Sequence, residues 1–379
     1  MKILHIAAVS FIEDNNHVKA TGLSNSVPKL AKAQTKNNDV GIVTTQKSNN
    51  PFAGKLYWKS VFDKSFIDLL RNDPFQIINK EFGQPDILHT HDIYEFKALP
   101  FIYHALRNNI RVYISPRGTL SPVALSRNKI KKIIYINYLF NFFIKNITGF
   151  VALNQQEQKI IGNRYKNMKV ITISNGCDNN EYYFEKYQKN YISKQKDKII
   201  NIGYLGRYEV YIKGLDLLIN AFANYQSKNE RVKIKLTLIG EHSKKTDSQG
   251  YFSNIEKKLK DKSMLILKGP LYNEEKFDEL SKFDIFVHPS RSEGMPNAVL
   301  EAISMGIPCL VTPQTNMGKI IEDADCGWVI DPCIDEIENF FLSTENISKK
   351  ELYKKGQNGI KYAKNYLEWE KVAIREFYE

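Results

Sequence analysis

Residues 288–301 read HPSRSEGMPNAVLE. An apolar run, Asp284-Ile285-Phe286-Val287, precedes them and has the composition of a buried strand. AVLEAISMGIPCLVT follows from Ala298, with the pattern of a helix and then a further strand. Gly294 frees the backbone between the two, and Pro296 suits the first turn of a helix. Two carboxylates, Glu293 and Glu301, stand eight positions apart. A loop at the carboxyl end of a parallel strand, leading into a helix N-terminus, is where open α/β sheets take anionic ligands.

The same alternation runs through the chain. KILHIAAV, DVGIVTT, PDILHTHD, RVYISPRGT, GFVALN and KVITISNG are strand candidates with helical segments between them. Residues 46–80 are mixed, apart from a helical SVFDKSFIDLLRN. Residues 177–198 are polar, spotted with aromatics and without period, and read as a linker. The alternation restarts with KIINIGYLG and continues through KIKLTLIG, MLILKG, DIFVHPS, IPCLVT and CGWVI. The expected fold class is α/β, with two Rossmann-like doubly wound domains facing a cleft, over residues 1–180 and 181–361. The terminal helix, about 362–379, is expected to pack back on the first domain, with Trp369 and Tyr378 as anchors.

A chain of 379 residues exceeds what one core usually serves. The four cysteines show no metal-like spacing and read as free thiols of a cytoplasmic protein. The start, MKILHIAAVSFIED, is too short for a secretory h-region, and no apolar run of membrane-spanning length occurs. The net charge of +12 lies wholly in the first half. Residues 1–180 hold 24 Lys and Arg against 12 Asp and Glu, whereas residues 181–379 hold 30 of each. This asymmetry fits either an anionic partner such as a membrane surface, or a lysine-rich solvated face.

LSRNKIKKIIYINYLFNFFIKN, 125–146, has a basic start and is then almost wholly apolar. It could lie on a membrane with Lys129, Lys131, Lys132 and Lys145 toward headgroups. Apolar residues nearly all the way round favour a buried core helix instead.

Several stretches together resemble the GT-B glycosyltransferases of the retaining family 4. They are Gly206-Arg207 with Lys213-Gly214, His288-Pro289-Ser290, Glu293-Gly294-Met295-Pro296, Glu301-Ala302 and Gly306-Ile307-Pro308. PDILHTHD (85–92), PRGTLSPVAL (116–125) and ISNGCD (173–178) carry it in the first half. The resemblance implies retaining transfer of a hexose-type sugar from a UDP- or GDP-sugar. The implied acceptor is a glycan or a polyprenyl-diphosphate-linked sugar, in capsule, O-antigen or exopolysaccharide assembly.

In that frame Glu293 faces the donor sugar and Glu301 accepts from the ribose hydroxyls. Glu301 lies five residues beyond Pro296, roughly 7.5 Å along a helix, so the two carboxylates grip different parts of one long ligand. The backbone from Gly294 to Asn297, through Met295 and Pro296, borders the sugar or diphosphate. Arg207 and Lys213 neutralise the leaving diphosphate; their spacing is six, where many members show five. Gly22 matches the glycine loop near the diphosphate, with Thr21 where a second glycine is common. Leu271 occupies the loop beside the base.

Arg117 stands where many members carry a His, so no proton-shuttling role transfers to it. It binds an anionic group of sugar or acceptor, or it is a structural, salt-bridged arginine. His89, His91 and Asp92 close a strand; His-x-His pairs bind metals, but no third ligand has fitting spacing, and lining of the acceptor cleft is favoured. Asp323-Ala324-Asp325 formally matches a metal-binding D-x-D but falls outside the expected cleft. The expectation is no metal and no organic cofactor, no nucleic acid, and a cytoplasmic location with the inner membrane face as an optional contact. The alternatives are a non-catalytic nucleotide-sugar-binding module and a nucleotide-sugar epimerase. A dehydrogenase is disfavoured, since no G-x-G-x-x-G follows the first strand.

Overall fold

The computed structural model describes residues 1–10, 13–14, 17–18, 22–50, 56–126, 128–178, 186, 199–242 and 248–373. The linker reading of 177–198 and the anchor reading of Tyr378 fall largely or wholly outside these residues. The chain forms two compact units, Met1–Gly176 with the segment from Trp369 onward, and Cys177–Glu368.

The first unit is a seven-stranded sheet. Its strands are β1 (Lys2–Ala7), β2 (Asp39–Thr44), β3 (Tyr57–Ser60), β4 (Ile87–His91), β5 (Arg111–Ser115), β6 (Gly149–Ala152) and β7 (Lys169–Thr172). They run β3-β2-β1-β4-β5-β6-β7, every pair parallel. Central strands buried on both faces need no polar alternation, which is why KILHIA and DVGIVT read as apolar runs. β3 was not legible: YWKS is a short edge strand, half-exposed along its length. Helices α1 (Gly22–Gln34), α2 (Ala98–Arg107) and α3 (Gln155–Arg164) belong to this unit.

The second unit repeats the plan in six strands. They are β8 (Ile200–Leu205), β9 (Ile234–Ile239), β10 (Leu265–Lys268), β11 (Ile285–His288), β12 (Cys309–Val311) and β13 (Gly327–Val329). The order is β10-β9-β8-β11-β12-β13, again all parallel. Helices α4 (Leu215–Lys228), α5 (Asn273–Leu280), α6 (Asn297–Ser304) and α7 (Lys349–Tyr362) accompany it. In both sheets the order reverses beside the first strand, between β1 and β4 and between β8 and β11. Ligands of doubly wound sheets gather at the carboxyl ends of such strands.

The return to the first unit begins at Trp369, not at 362: α7 packs on α6 of the second unit, and a π-helical turn, Ala363–Leu367, follows it. Trp369 and Val372 of α8 (Trp369–Ala373) are buried with Ile3, Leu30, Ile87 and Tyr113 of the first core.

The segment 129–143 corrects the core-helix reading. It is a helix, Lys129–Ile134, a π-helical stretch, Tyr135–Phe140, and a final turn, Asn141–Phe143. Ile136, Phe140, Phe143 and Ile144 are buried, but Ile130 is 75% exposed, Tyr138 78% and Phe142 62%. Apolar residues all round the segment supply one face to the core and leave a second face in solvent. Among the described residues, no helix is long and apolar enough to cross a membrane.

Candidate functional site

The loop between β11 and α6 carries Glu293, and its conformation is held from two sides. From the β12 side, Glu293 N–H donates to the Gln314 carbonyl at 3.0 Å. Asn316 Nδ2 donates to the carbonyls of Glu293 (2.7 Å) and Gly294 (3.1 Å). Thr312 Oγ1 donates to the Ser290 carbonyl at 2.6 Å. From the β8–α4 side, Arg291 N–H donates to the Ile212 carbonyl at 2.8 Å. The Arg291 guanidinium forks onto both oxygens of Asp216, at 2.6 and 2.8 Å, and lies 4.3 Å from the Tyr211 ring. Pro296 is the N-cap residue of α6, one place ahead of the first helical turn.

Three donors converge on one oxygen of Glu293. Lys213 Nζ forms an ion pair with Oε1, His288 Nε2 lies 3.0 Å from it, and Ser290 Oγ donates to it at 3.2 Å. No hydrogen bond among the described residues reaches the other oxygen, Oε2. Burial favours a protonated Glu293, but the Lys213 charge and the His288 hydrogen bond outweigh it and hold the carboxyl well below the usual carboxylate range. His288 is fully buried, stacked on Tyr204 with ring centroids 5.5 Å apart. Burial lowers its pKa despite the opposing pull of Glu293. Its Nδ1 has no hydrogen-bond partner among the described residues. The ring is therefore neutral, with the proton on Nε2 donated to Glu293.

Glu301 is buried on α6 and pairs with Lys276 Nζ of α5 at 2.7 Å. Spacing alone gave no sign of Lys276. Arg207 differs from Lys213: its side chain is 69% exposed and paired with Glu209 at 3.3 Å. Lys213 thus meets Glu293, and Arg207 does not. Leu271 is half-buried in the β10–α5 loop, and Met295 is buried beside Gly294. Asp323 and Asp325 hold Lys319 (2.9 Å) and Lys355 (2.7 Å), as ion pairs outside this site.

In the first unit, Gly22 opens α1, and a Cβ there would meet nothing within 4 Å, so crowding does not demand glycine. His89 and His91 of β4 gain a third imidazole from His5 of β1, and ligand-type nitrogens of the three lie within 4.8 Å of one another. A histidine in the middle of an apolar strand was the available signal for His5. His91 Nε2 lies 2.9 Å from His5 Nδ1, His5 Nε2 lies 2.7 Å from Gln34 Oε1, and His89 Nε2 lies 2.7 Å from Ser115 Oγ. Arg117, just past β5, donates Nε–H to His91 Nδ1 at 3.0 Å, and Nη1 to Ser26 Oγ (3.1 Å) and Asn175 Oδ1 (3.0 Å). Burial lowers all three imidazole pKa values, that of His5 to about 4. Asp92, beside His91, is raised by burial. Arg117 and Asp92 both sit in the left-handed region, at φ 55° and 72°.

Residues 200–342 match the family model described as glycosyl transferases group 1. Protein CapJ of Staphylococcus aureus is 26% identical over 295 residues, covering 69% of this chain and 73% of that protein. An Escherichia coli enzyme, UDP-Gal:alpha-D-GlcNAc-diphosphoundecaprenol alpha-1,3-galactosyltransferase, is 26% identical over 226 residues, 57% of this chain and 54% of its own. The structure of Anabaena HepE in complex with UDP and glucose superposes with a TM-score of 0.71 at 14% identity, over 98% of this chain and 97% of that one.

Proposed function

We propose a reaction for this chain from one premise: it is a glycosyltransferase of the group 1 type, on the GT-B fold, its second unit matching the family model. It moves a hexose-type sugar from a nucleoside diphosphate sugar to a glycan or polyprenyl-diphosphate-linked acceptor. The product belongs to a surface polysaccharide such as capsule, O-antigen or exopolysaccharide, and the anomeric configuration is retained.

The convergence of Lys213, His288 and Ser290 on Glu293 Oε1 carries this reading. It fixes an ionised carboxylate at a strand end and leaves Oε2 to accept a donor-sugar hydroxyl. Glu301 takes the ribose hydroxyls, sharing its charge with Lys276. Lys213 and, after release from Glu209, Arg207 stabilise the departing diphosphate in place of a divalent cation. The relative acting on a diphosphoundecaprenol acceptor and the neighbour holding UDP and glucose support the substrate classes. The test is transfer and donor hydrolysis across UDP- and GDP-sugars, with and without EDTA. Loss of turnover in EDTA that Mg²⁺ restores would sink the metal-free step. Normal kcat in Glu293→Ala would sink the site.

A lipid-linked acceptor places the first unit at an anionic membrane. Residues 96–156 contain no Asp or Glu and nine Lys or Arg. Within them Ile130, Ile133, Ile134, Tyr138, Leu139 and Phe142 are exposed apolar side chains, and Lys129, Lys131 and Lys145 stand among them. Apolar side chains at the acyl boundary with lysines at headgroup level suit an anionic bilayer. Vesicles containing phosphatidylglycerol should carry the chain in flotation, and pure phosphatidylcholine vesicles should not. Undiminished flotation of Ile130→Glu with Phe142→Glu would remove this surface from the proposal.

A further inference from the structure

The imidazole cluster of the first unit has the composition of a metal site, yet its hydrogen bonds assign it another task. A guanidinium has only N–H groups to offer and stays charged, so Arg117 Nε can only donate. His91 Nδ1, 3.0 Å away, must accept. A neutral His91 then carries its proton on Nε2, which faces His5 Nδ1 at 2.9 Å. His5 accepts there, so its own proton is on Nε2 and is donated to Gln34 Oε1 at 2.7 Å. One fixed donor thereby sets the tautomer of two rings in succession. A cation placed among the rings would compete for the lone pairs that accept from Arg117 and from His91, beside a guanidinium charge.

We infer that His91, His5 and Gln34 are positioning residues, a one-way hydrogen-bond chain that aims the Arg117 guanidinium at an anionic group of the acceptor. This rests on the glycosyltransferase reading above. The backbone supports it. Arg117 adopts a left-handed conformation, φ 55°, followed by Gly118 at φ 82°. A non-glycine residue stays there only where its surroundings over-determine it. Ser26 and Asn175 fix Nη1 from α1 and from the segment after β7. Buried Glu157 of α3 accepts from Gly118 N–H at 2.5 Å and from Leu153 N–H at 2.7 Å, pinning the loop from beneath. Three separate segments thus converge on one side chain at the carboxyl ends of β4 and β5, and a fourth, α3, holds the loop that carries it. The anionic group is a phosphate or a carboxylate.

The experiment has two arms on the full chain. Long-range ¹H–¹⁵N spectra of ¹⁵N-histidine protein at pH 7 should show His91 and His5 neutral with the proton on Nε2, and Arg117→Met should disturb both. A proton on Nδ1 of either ring, or stoichiometric Zn²⁺ binding that shifts all three rings, overturns the inference. In kinetics, His91→Leu and His5→Phe should raise the acceptor KM about tenfold, the scale of one oriented hydrogen bond to a charge, with donor KM unchanged. His91→Asn, which keeps an acceptor near the Nδ1 position, should recover most of that loss. Unchanged acceptor KM in both variants also overturns it. Acceptors with and without a diphosphate, and with neutral or uronic sugars, separate phosphate from carboxylate. The spectra do not depend on turnover, so a chain that transfers no sugar counts against the reaction, and a wrong tautomer counts against this chain of bonds.

Discussion

Gly214 and Pro289 touch through their backbones: a Cβ on Gly214 would lie 2.0 Å from the Pro289 carbonyl oxygen. Gly214 also has φ 65° and is the N-cap of α4. The cation-bearing loop after β8 and the carboxylate-bearing loop after β11 are therefore in contact at a point where no side chain fits. Gly214→Ala should cost about 2 kcal/mol or more, combining left-handed strain with the clash. Gly214→Asn relieves much of the strain and keeps the clash. Urea unfolding followed at Trp328 would reject the crowding argument if Asn restored glycine-like stability.

Lys213→Met leaves the Glu293 carboxylate buried without its cation. Turnover should fall about 100-fold, the usual scale for removing one preorganised charge partner. The carboxyl pKa must climb, because the cation that opposes its desolvation is gone. The acid limb of the kcat profile should accordingly move to higher pH. A uniform loss with an unmoved limb would place Lys213 on the diphosphate alone.

Glu301→Gln keeps the shape of α6 and removes the charge that Lys276 balances. Calorimetry with the preferred nucleoside diphosphate should show affinity about tenfold weaker, about 1.4 kcal/mol. Ribose contact would be wrong if affinity were unchanged while the protein melted normally.

The buried imidazoles predict acid sensitivity of the first unit. His5 titrates near 4 in the fold against an ordinary 6.5, and His89 and His91 are lowered too. Between those limits the unfolded chain binds more protons, so stability drops as pH falls through this window, by up to about 1.4 kcal/mol per pH unit for each histidine. Asp92, Glu95 and Glu157 are raised by burial and pull the opposite way. The informative quantity is therefore the difference from His5→Asn, whose melting temperature should decline less between pH 6.5 and 4.5. Parallel profiles would refute a neutral, buried His5.

Strand–helix alternation and the Glu293–Glu301 spacing were legible because both are local patterns. The donors around Glu293 were partly legible, since His288, Ser290 and Lys213 lie in recognisable motifs. The Arg291–Asp216 fork and the Lys276–Glu301 pair were not: they join residues 75 and 25 apart in sequence with no periodic signature. Segment 129–143 was misread because composition is the same whether its second apolar face meets a core or solvent. Arg207 shows the limit of motif reading, because its position in the motif said nothing of the Glu209 partner beside it.

Trp369 and Val372 complete a core whose other members, such as Ile3, Leu30 and Tyr113, precede residue 177. On the ribosome, that core must wait until the whole second unit has been made. The later-encoded unit can close first, while the earlier one stays open on its α1 side. A stop codon before Trp369 would then do its damage at the far end of the sequence, exposing the apolar surface of Ile3 and Leu30 to chaperones and proteases.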